Sequence, residues 1–246
     1  MSSYHTFAAY YDRLTQEVDY PRRAAYFDQL IRQYLTVDES TILLDLACGT
    51  GSLSVEFAQL GYDVIGVDAS YDMLSEAQQK PSVRPVLYLC QPLQKLDLFG
   101  TVDVAVCALD SLNHITNPRE LERALGRVSL FTIPGGLLLF DVNTPYKHRE
   151  VLGNHTFVYD LDDLYCVWQN TTDQQLLTEI SLDFFIRQQG VYHRESEHFF
   201  ERCYPQEQLE EMLERTGYQL LAVYGADTQR PLEENDQRAV YLARKL

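Results

Sequence analysis

The sequence of 246 residues contains no apolar run that approaches the length of a membrane-spanning helix. Its first residues lack the charged and then apolar pattern of a secretory signal peptide. Basic residues are also few, since 20 Lys and Arg stand against 36 Asp and Glu, for a formal net charge of −16. A surface that binds nucleic acid requires clustered basic side chains. These absences predict a cytoplasmic protein with no membrane partner, and they disfavour nucleic acid as a partner.

Cysteine is scarce and shows no pairing pattern. The chain has five cysteines, an odd number, and no C-x-x-C pair, so neither a disulfide framework nor a zinc-ligand set is indicated. His193 and Glu195 share one face of a predicted strand, but they belong to no ligand triad of a recognised spacing. We therefore expect a solvated strand face there, and we predict no metal site.

One motif that the chain does contain is an apolar run that breaks into a glycine loop, LLDLACGTG over residues 43–51. A helical pattern follows from Ser52, as where a parallel strand presents a nucleotide-like ligand to the next helix. Gly49 and Gly51 lack a Cβ, so the backbone can approach that ligand closely. A second apolar strand ends at Asp68, where a carboxylate can accept hydrogen bonds from ribose hydroxyls.

The loop departs from the nicotinamide fingerprint at two positions. Ser54 stands where the third glycine is needed, and Asp45 lies inside a strand that is usually apolar in nicotinamide-binding proteins. This pattern resembles the class I S-adenosylmethionine (SAM) dependent methyltransferases. Because SAM has a cationic amino end and no pyrophosphate, acidic groups suit it better than a phosphate cradle. The alternatives are a nicotinamide oxidoreductase, which is distant, or a glycine turn with a buried Asp45 and no ligand.

The resemblance covers the whole chain and is strongest over residues 45–113. The segments DSLNHI, FDVNTPYKHRE and HFFERCYPQEQLEEMLERTGY look like a small bacterial subgroup of mostly unassigned substrate. Parts are also similar to amino-sugar N-methyltransferases and glycine N-methyltransferases. The resemblance implies SAM as the cofactor.

The resemblance also implies which residues bind that cofactor. The loop should lie against the methionine portion, Asp68 should hold the ribose, and Met73 should contact adenine. Pro92 stands where the family usually has an acid that contacts the adenine amino group, so Gln91 and the Leu93 amide are expected to replace it. The full set is Asp45, Ala47, Gly49, Gly51, Asp68, Ala69, Met73, Gln91, Leu93 and Leu109.

Strands that alternate with helices predict β-α-β units, here a Rossmann-like, mostly parallel sheet of seven strands flanked by helices. From residue 156 to 202 the pattern changes to strand-like alternation, which predicts an antiparallel β insert after strand five. Its apolar face requires a partner surface: the domain itself, a second subunit of a homodimer, or a substrate. We divide this single domain into a helical lid (1–36), a SAM-binding core (37–145), the insert (146–204) and a final helix with a strand hairpin (205–246).

Candidate catalytic residues follow strand four. An amine acceptor must be neutral when it attacks a methyl group, and Asp110 or His114 could take its proton, although Asp110 could instead cap a helix. Tyr10 and Tyr11 could close over the site or pack an N-terminal helix, and Trp168 could wall the acceptor pocket or pack in the core. The residues predicted to contact the methyl acceptor are Tyr10, Tyr11, Asn113 and Trp168.

The sequence therefore favours a SAM-dependent methyltransferase that acts on a small-molecule acceptor, either an amine or a hydroxyl compound. Two alternatives stay open at this point. One is an RNA methyltransferase, and the other is a regulatory module that binds SAM or S-adenosylhomocysteine without catalysis.

Overall fold

The structure, a computed structural model, describes residues 5–246, with side chains from residue 7 onwards. The first four residues of the predicted lid therefore lie outside the described residues. Two helices open the described chain, α1 (His5–Leu14) and α2 (Tyr20–Arg32). Pro21 occupies the first turn of α2, and the Asp19 side chain caps it by accepting a hydrogen bond from the Arg22 amide.

The core then alternates strands with helices, as the sequence predicts. Its elements are β1 (Ile42–Leu46), α3 (Ser52–Gln59), β2 (Asp63–Asp68), α4 (Tyr71–Ala77), β3 (Val86–Cys90), β4 (Val102–Cys107), α5 (Pro118–Phe131) and β5 (Thr132–Asn143). Ser70 and Asn117 cap α4 and α5 with side-chain oxygens. The strand β5 begins at Thr132, and the register between β4 and β5 shifts over its first part.

The chain continues through β6 (Thr156–Leu161), β7 (Leu164–Thr172), β8 (Leu177–Gln188), β9 (Val191–Arg202), α6 (Gln206–Arg215), β10 (Tyr218–Gly225) and β11 (Arg238–Lys245). The main sheet has seven strands in the order β10-β11-β5-β4-β1-β2-β3. The strand β11 is antiparallel to both of its neighbours, and the other paired strands are parallel. The predicted Rossmann-like, mostly parallel sheet is thus confirmed.

Apolar residues cover both faces of this sheet. In β1, Leu43 packs on the side of α2 and α3, whereas Leu44 and Leu46 pack on the side of α5 and α6. Burial on both faces explains why the central strands are nearly continuous apolar runs. Because both faces are covered, polar side chains can lie together at the carboxyl ends of β1, β2 and β4.

Strands β6 to β9 form a separate antiparallel sheet in that order, which confirms the predicted antiparallel insert. The β8–β9 hairpin turns at Gln189 and Gly190, both with positive φ, as a two-residue turn of this kind requires. The apolar face of the insert packs against Phe7 of α1 and Met73 of α4, so the domain itself supplies the partner surface for that face. Within residues 5–246, no helix is long and apolar enough to cross a lipid bilayer.

Candidate functional site

A cavity of about 300 Å³ lies at the carboxyl ends of β1, β2 and β4. In this sheet order the connections from β1 and β4 leave in different directions, and ligands of open α/β sheets bind at such a point. The predicted cofactor residues that line the cavity are Ala47, Gly49, Asp68, Ala69, Met73, Leu93 and Leu109. A small recess of about 30 Å³, which also reaches Asp45, shares part of this lining.

The glycine loop owes its shape to left-handed backbone. Ala47, Gly49 and Gly51 have φ values of 52°, 54° and 73°, and Gly51 is the N-cap of α3. A Cβ on Gly51 would overlap the Tyr88 hydroxyl and lie 2.9 Å from the Ala77 Cβ. Gly51 is absent from the lining of both cavities, so its contribution is to let α3 begin beneath Tyr88.

Asp68 is held in place by the backbone around it. One carboxylate oxygen accepts a hydrogen bond from the Gly49 amide at 2.9 Å, and the other accepts one from the Ser70 amide at 2.8 Å. Burial raises the pKa of Asp68, and these amide donors oppose that shift. A carboxylate offers about four lone-pair sites, so both oxygens can accept further bonds from a ligand in the cavity.

Asp45 is almost fully buried at the base of the recess, where it accepts a hydrogen bond of 2.5 Å from the Ser54 hydroxyl. Burial raises the pKa of Asp45 to about 7, the Ser54 hydrogen bond opposes the shift, and the charge of Asp68 adds to it. Ser54, which replaces the third glycine of the nicotinamide fingerprint, therefore binds the strand acid. Sequence analysis singled out Ser54 and Asp45 as departures from the nicotinamide fingerprint, but it did not predict the hydrogen bond between them.

Gln91 does not line the cavity, contrary to expectation. Its side-chain amide is bonded to the backbone of Asp97, accepting from the Asp97 amide at 2.8 Å and donating to the Asp97 carbonyl at 3.1 Å. The wall after β3 is instead formed by Pro92, Leu93 and Gln94. These two bonds engage the Gln91 side-chain amide with the backbone at Asp97.

Asp110 was expected to be a proton acceptor, but it belongs to a partly buried ion pair. It accepts a hydrogen bond of 2.6 Å from Arg238, which also bonds Asp141 at 2.7 Å. Burial alone would raise the pKa of Asp110, but the positive charges of Arg238 and Lys147 outweigh it and hold that pKa well below its ordinary value. A carboxylate that is so strongly stabilised in its charged form is a poor base.

Asn113 was expected to face the site, and the structure places it elsewhere. It is fully buried, donates to the Arg202 carbonyl at 2.7 Å and accepts from the Asn143 amide at 3.0 Å. These bonds join the turn after β4 to the ends of β5 and β9. Asn113 therefore joins the core to the insert and is not part of the cavity lining.

His114 does line the cavity, and its ring lies 5.2 Å from that of Phe199. A carboxylate oxygen of the buried Glu201, on β9, is 3.7 Å from His114 Nε2. Burial raises the pKa of Glu201, and the charge of His114 opposes that shift. Sequence analysis did not single out Glu201 as a site residue, because only the fold brings β9 beside His114.

Asn143 connects Glu201 to the half-buried Lys147. It donates to the Glu201 carboxylate at 3.2 Å and accepts from Lys147 Nζ at 2.9 Å. Burial lowers the pKa of Lys147, while the charge of Asp110 opposes that shift. Ligand atoms of Asp110, His114 and Glu201 lie within 4.8 Å of one another. Since the cationic side chains here already balance the carboxylates, the absence of a metal site stays our prediction.

The predicted aromatic residues divide between the cavity and the insert. Tyr11 lines the cavity, and burial raises its pKa well above the ordinary value. Tyr10 stacks on Phe184 of the insert, with ring centroids 6.4 Å apart. Trp168 donates to the Asn170 side chain at 2.8 Å and packs in the apolar cluster of the insert. Neither Tyr10 nor Trp168 lines the cavity, so both pack the insert sheet.

The helix α1 lies over the cavity, to which it contributes Phe7 and Tyr11. Its Asp12 accepts a hydrogen bond of 2.6 Å from the Thr50 hydroxyl in the glycine loop and forms an ion pair of 2.5 Å with Lys80. These contacts attach α1 to the same loop that shapes the recess. The cavity thus has a floor from the core and a roof from the N-terminal helix.

Comparison with known proteins gives a consistent result. A family model described as "Methyltransferase domain" matches residues 43–136. The Bacillus subtilis protein named "Putative methyltransferase YqeM" is 33% identical over 245 residues, covering 98% of this chain and 97% of the relative. A crystal structure of a SAM-dependent methyltransferase from Clostridium acetobutylicum superposes with a TM-score of 0.85 at 31% identity, covering 98% of each chain.

A more distant neighbour shows the fold alone. The SAM-bound structure of CalS10, an amino pentose methyltransferase from Micromonospora echinaspora, has a TM-score of 0.76 at 20% identity and covers 98% of this chain and 96% of its own. The near relatives match over almost the whole sequence, and the cavity lies where the fold places a nucleotide-like ligand. The chain belongs to the class I SAM-dependent methyltransferases, and SAM is its cofactor.

Proposed function

We propose that this enzyme transfers the methyl group of SAM to a small-molecule acceptor that carries an amine or a hydroxyl. The observation that carries this proposal is the cavity that α1 partly covers. Phe7 and Tyr11 of α1 line it, and Asp12 attaches the helix to the glycine loop. A partly covered cavity of about 300 Å³ suits a small acceptor better than a polymer, and the net charge of −16 opposes binding of RNA.

The residues at this site suit SAM. We assign its methionine portion to the loop beside Asp45 and Gly49, where a carboxylate can balance the cationic amino group. Asp68 would accept hydrogen bonds from the ribose hydroxyls, and the apolar wall of Met73 and Leu93 would hold adenine. When bound, SAM supplies a methyl group that is already activated by a sulfonium centre.

The protein contributes position and a proton acceptor. Methyl transfer is an in-line displacement, and holding the two reactants in line can supply most of the rate. An amine acceptor must lose its proton before or during attack. Of the two predicted proton acceptors, Asp110 is committed to Arg238, whereas His114 lines the cavity. We therefore assign His114 as the group that takes the proton of the amine acceptor.

Label transfer tests the proposal. The purified protein is incubated with SAM labelled in the methyl group, and with either the small-molecule fraction or the RNA fraction of a cell extract. We expect label in a small molecule, none in RNA, and transfer reduced about 100-fold in His114→Gln. The exposed substitution Asp63→Asn is the control and should leave transfer unchanged.

Two outcomes would overturn the proposal. Label found in RNA alone would make the enzyme an RNA methyltransferase. Calorimetric binding of SAM without label in either fraction would favour the regulatory module. As a check on the ribose assignment, we expect Asp68→Ala to weaken SAM binding more than tenfold.

A further inference from the structure

We propose that Glu201, on the last strand of the insert, is a positioning residue that stabilises the positive charge formed on His114 when its imidazole accepts a proton. The inference rests on the proposed function, because that function supplies the proton. It makes the insert part of the catalytic machinery. The insert then does more than pack against α1 and α4.

The placement of Glu201 is unusual for its strand. The amino-terminal half of β9 is exposed, but Phe199 and Glu201 are 8% and 4% exposed. Side chains two residues apart share one strand face, so Glu201 lies on the same inward face as the Phe199 ring that contacts His114. A buried carboxylate costs several kcal/mol unless a charge and hydrogen bonds compensate it. Asn143 supplies one hydrogen bond, and an imidazolium at His114 would supply the charge.

Among the described residues, three carboxylates from different elements interact with His114: Asp68 ends β2, Asp110 follows β4, and Glu201 lies on β9. Lys147, which follows β5, interacts with the last two of these carboxylates. The carboxylate of Asp68 is engaged by two backbone amides, and that of Asp110 is engaged by an arginine. One carboxylate oxygen of Glu201 accepts a hydrogen bond from Asn143, and the other lies 3.7 Å from His114 Nε2.

That distance is long for a hydrogen bond but within range of an ion pair. The pair therefore strengthens when the imidazole becomes charged, as it does when it takes the proton of the acceptor. An interaction that is stronger in the transition state than in the ground state raises kcat and leaves substrate binding little changed. This is the signature that distinguishes positioning from simple packing.

Steady-state kinetics give the first test, with the label-accepting small-molecule fraction as the probe. Glu201→Gln keeps the shape of the side chain and an oxygen for Asn143, but it removes the charge. We expect kcat to fall about 10- to 100-fold, with the KM for the fraction and the calorimetric affinity for SAM within about twofold of wild type. Glu201→Asp should recover part of the loss.

A matched control exists in the same sheet. Glu179 pairs with His198 at 2.6 Å on the exposed side of the insert, so Glu179→Gln removes a carboxylate from a histidine that lies away from the cavity. It should leave kcat unchanged. An unchanged kcat in Glu201→Gln would overturn the proposal. Activity that is lost to a chelator and restored by a divalent cation would also overturn it, because Glu201 would then be a metal ligand.

The second test needs no acceptor, so it separates failure of this inference from failure of the proposed function. Diethylpyrocarbonate modifies neutral imidazole, and mass spectrometry measures the rate at His114. A neighbouring carboxylate favours the charged imidazole. Near pH 6, His114 should therefore react several-fold more slowly in wild type than in Glu201→Gln, and the difference should vanish near pH 9. The exposed His193 should react equally in both proteins.

Equal rates at His114 near pH 6 would overturn the inference even if methyl transfer is demonstrated. A difference that persists near pH 9 would also overturn it, because it would show that the substitution merely exposes the ring. If no small molecule accepts the label but the reactivity difference follows pH as expected, the pairing stands and the proposed function fails.

Discussion

Replacing Asp45 by Asn should make the cofactor-free protein more stable and weaken its binding of SAM. The carboxyl is 2% exposed, and burial raises its pKa to about 7 from an ordinary value of 3.8. Between those two pH values the folded protein retains a proton that the unfolded chain has lost. The free energy of unfolding contributed by this group therefore falls as pH rises from about 4 to about 7, and then levels off.

The magnitude follows from the shift. About three pKa units at 1.36 kcal/mol each give an upper figure of about 4 kcal/mol, of which about 2 kcal/mol falls between pH 5.5 and pH 7. Asparagine does not titrate and can still accept the Ser54 hydrogen bond. The stability of Asp45→Asn relative to wild type should thus increase by about 2 kcal/mol between pH 5.5 and pH 8.5.

Urea denaturation of the cofactor-free proteins at the two pH values measures this change, and Asp63→Asn serves as the exposed control. Calorimetry at pH 8 measures SAM affinity, which should fall because the neutral amide cannot balance a cationic amino group. A stability difference that is independent of pH would refute the reasoning, since it would mean that Asp45 is charged in the folded protein throughout.

Three further substitutions test other parts of the site. Gly51→Ala forces a Cβ onto the Tyr88 hydroxyl at a left-handed position; we expect a thermal midpoint lower by several degrees and loss of SAM binding. Asp12→Asn weakens the contact of α1 with Thr50, so limited proteolysis should cut α1 faster while urea stability changes by less than about 1 kcal/mol. Asp110→Asn removes the charge from a partly buried ion pair and should cost about 2 kcal/mol in urea. Because the pKa of Asp110 is lowered by its partners, that loss should be largest at neutral pH and shrink as pH falls below about 4, and a constant loss would contradict the assignment.

The fold could be predicted from the sequence because its signals are local. Strand and helix patterns alternate along the core as its elements do, and the strand-like alternation from residue 156 to 202 marked the insert. The first part of β5 pairs with β4 at Thr132 across an irregular register, and pairing of that kind leaves no periodic pattern in the sequence.

The candidate site was harder to predict because side-chain direction depends on contacts that are distant in sequence. Asn113 and Asp110 follow β4 as expected, yet backbone at Arg202 and the guanidinium of Arg238 engage them. His114 follows β4 and lines the cavity, but its partner Glu201 is 87 residues away in the sequence. Only the pairing of β8 with β9 and the packing of the insert on the core bring those two together.

The turn after β4 shows how the fold prepares this cavity before any ligand binds. Leu109 and Asp110 have φ values of 58° and 53°, a conformation that residues with a Cβ adopt at a cost of about 1–3 kcal/mol each. Asp141 compensates this cost, because its buried carboxylate accepts the Asp110 amide at 2.6 Å and pairs with Arg23 of α2 and with Arg238 of β11. The start and the end of the chain thus converge on one strained turn, whose Leu109 lines the cavity. Contacts from Asp141, Arg23 and Arg238 hold this turn in place. A cavity wall that is already in position favours an in-line displacement, because that reaction depends on holding the two reactants in line.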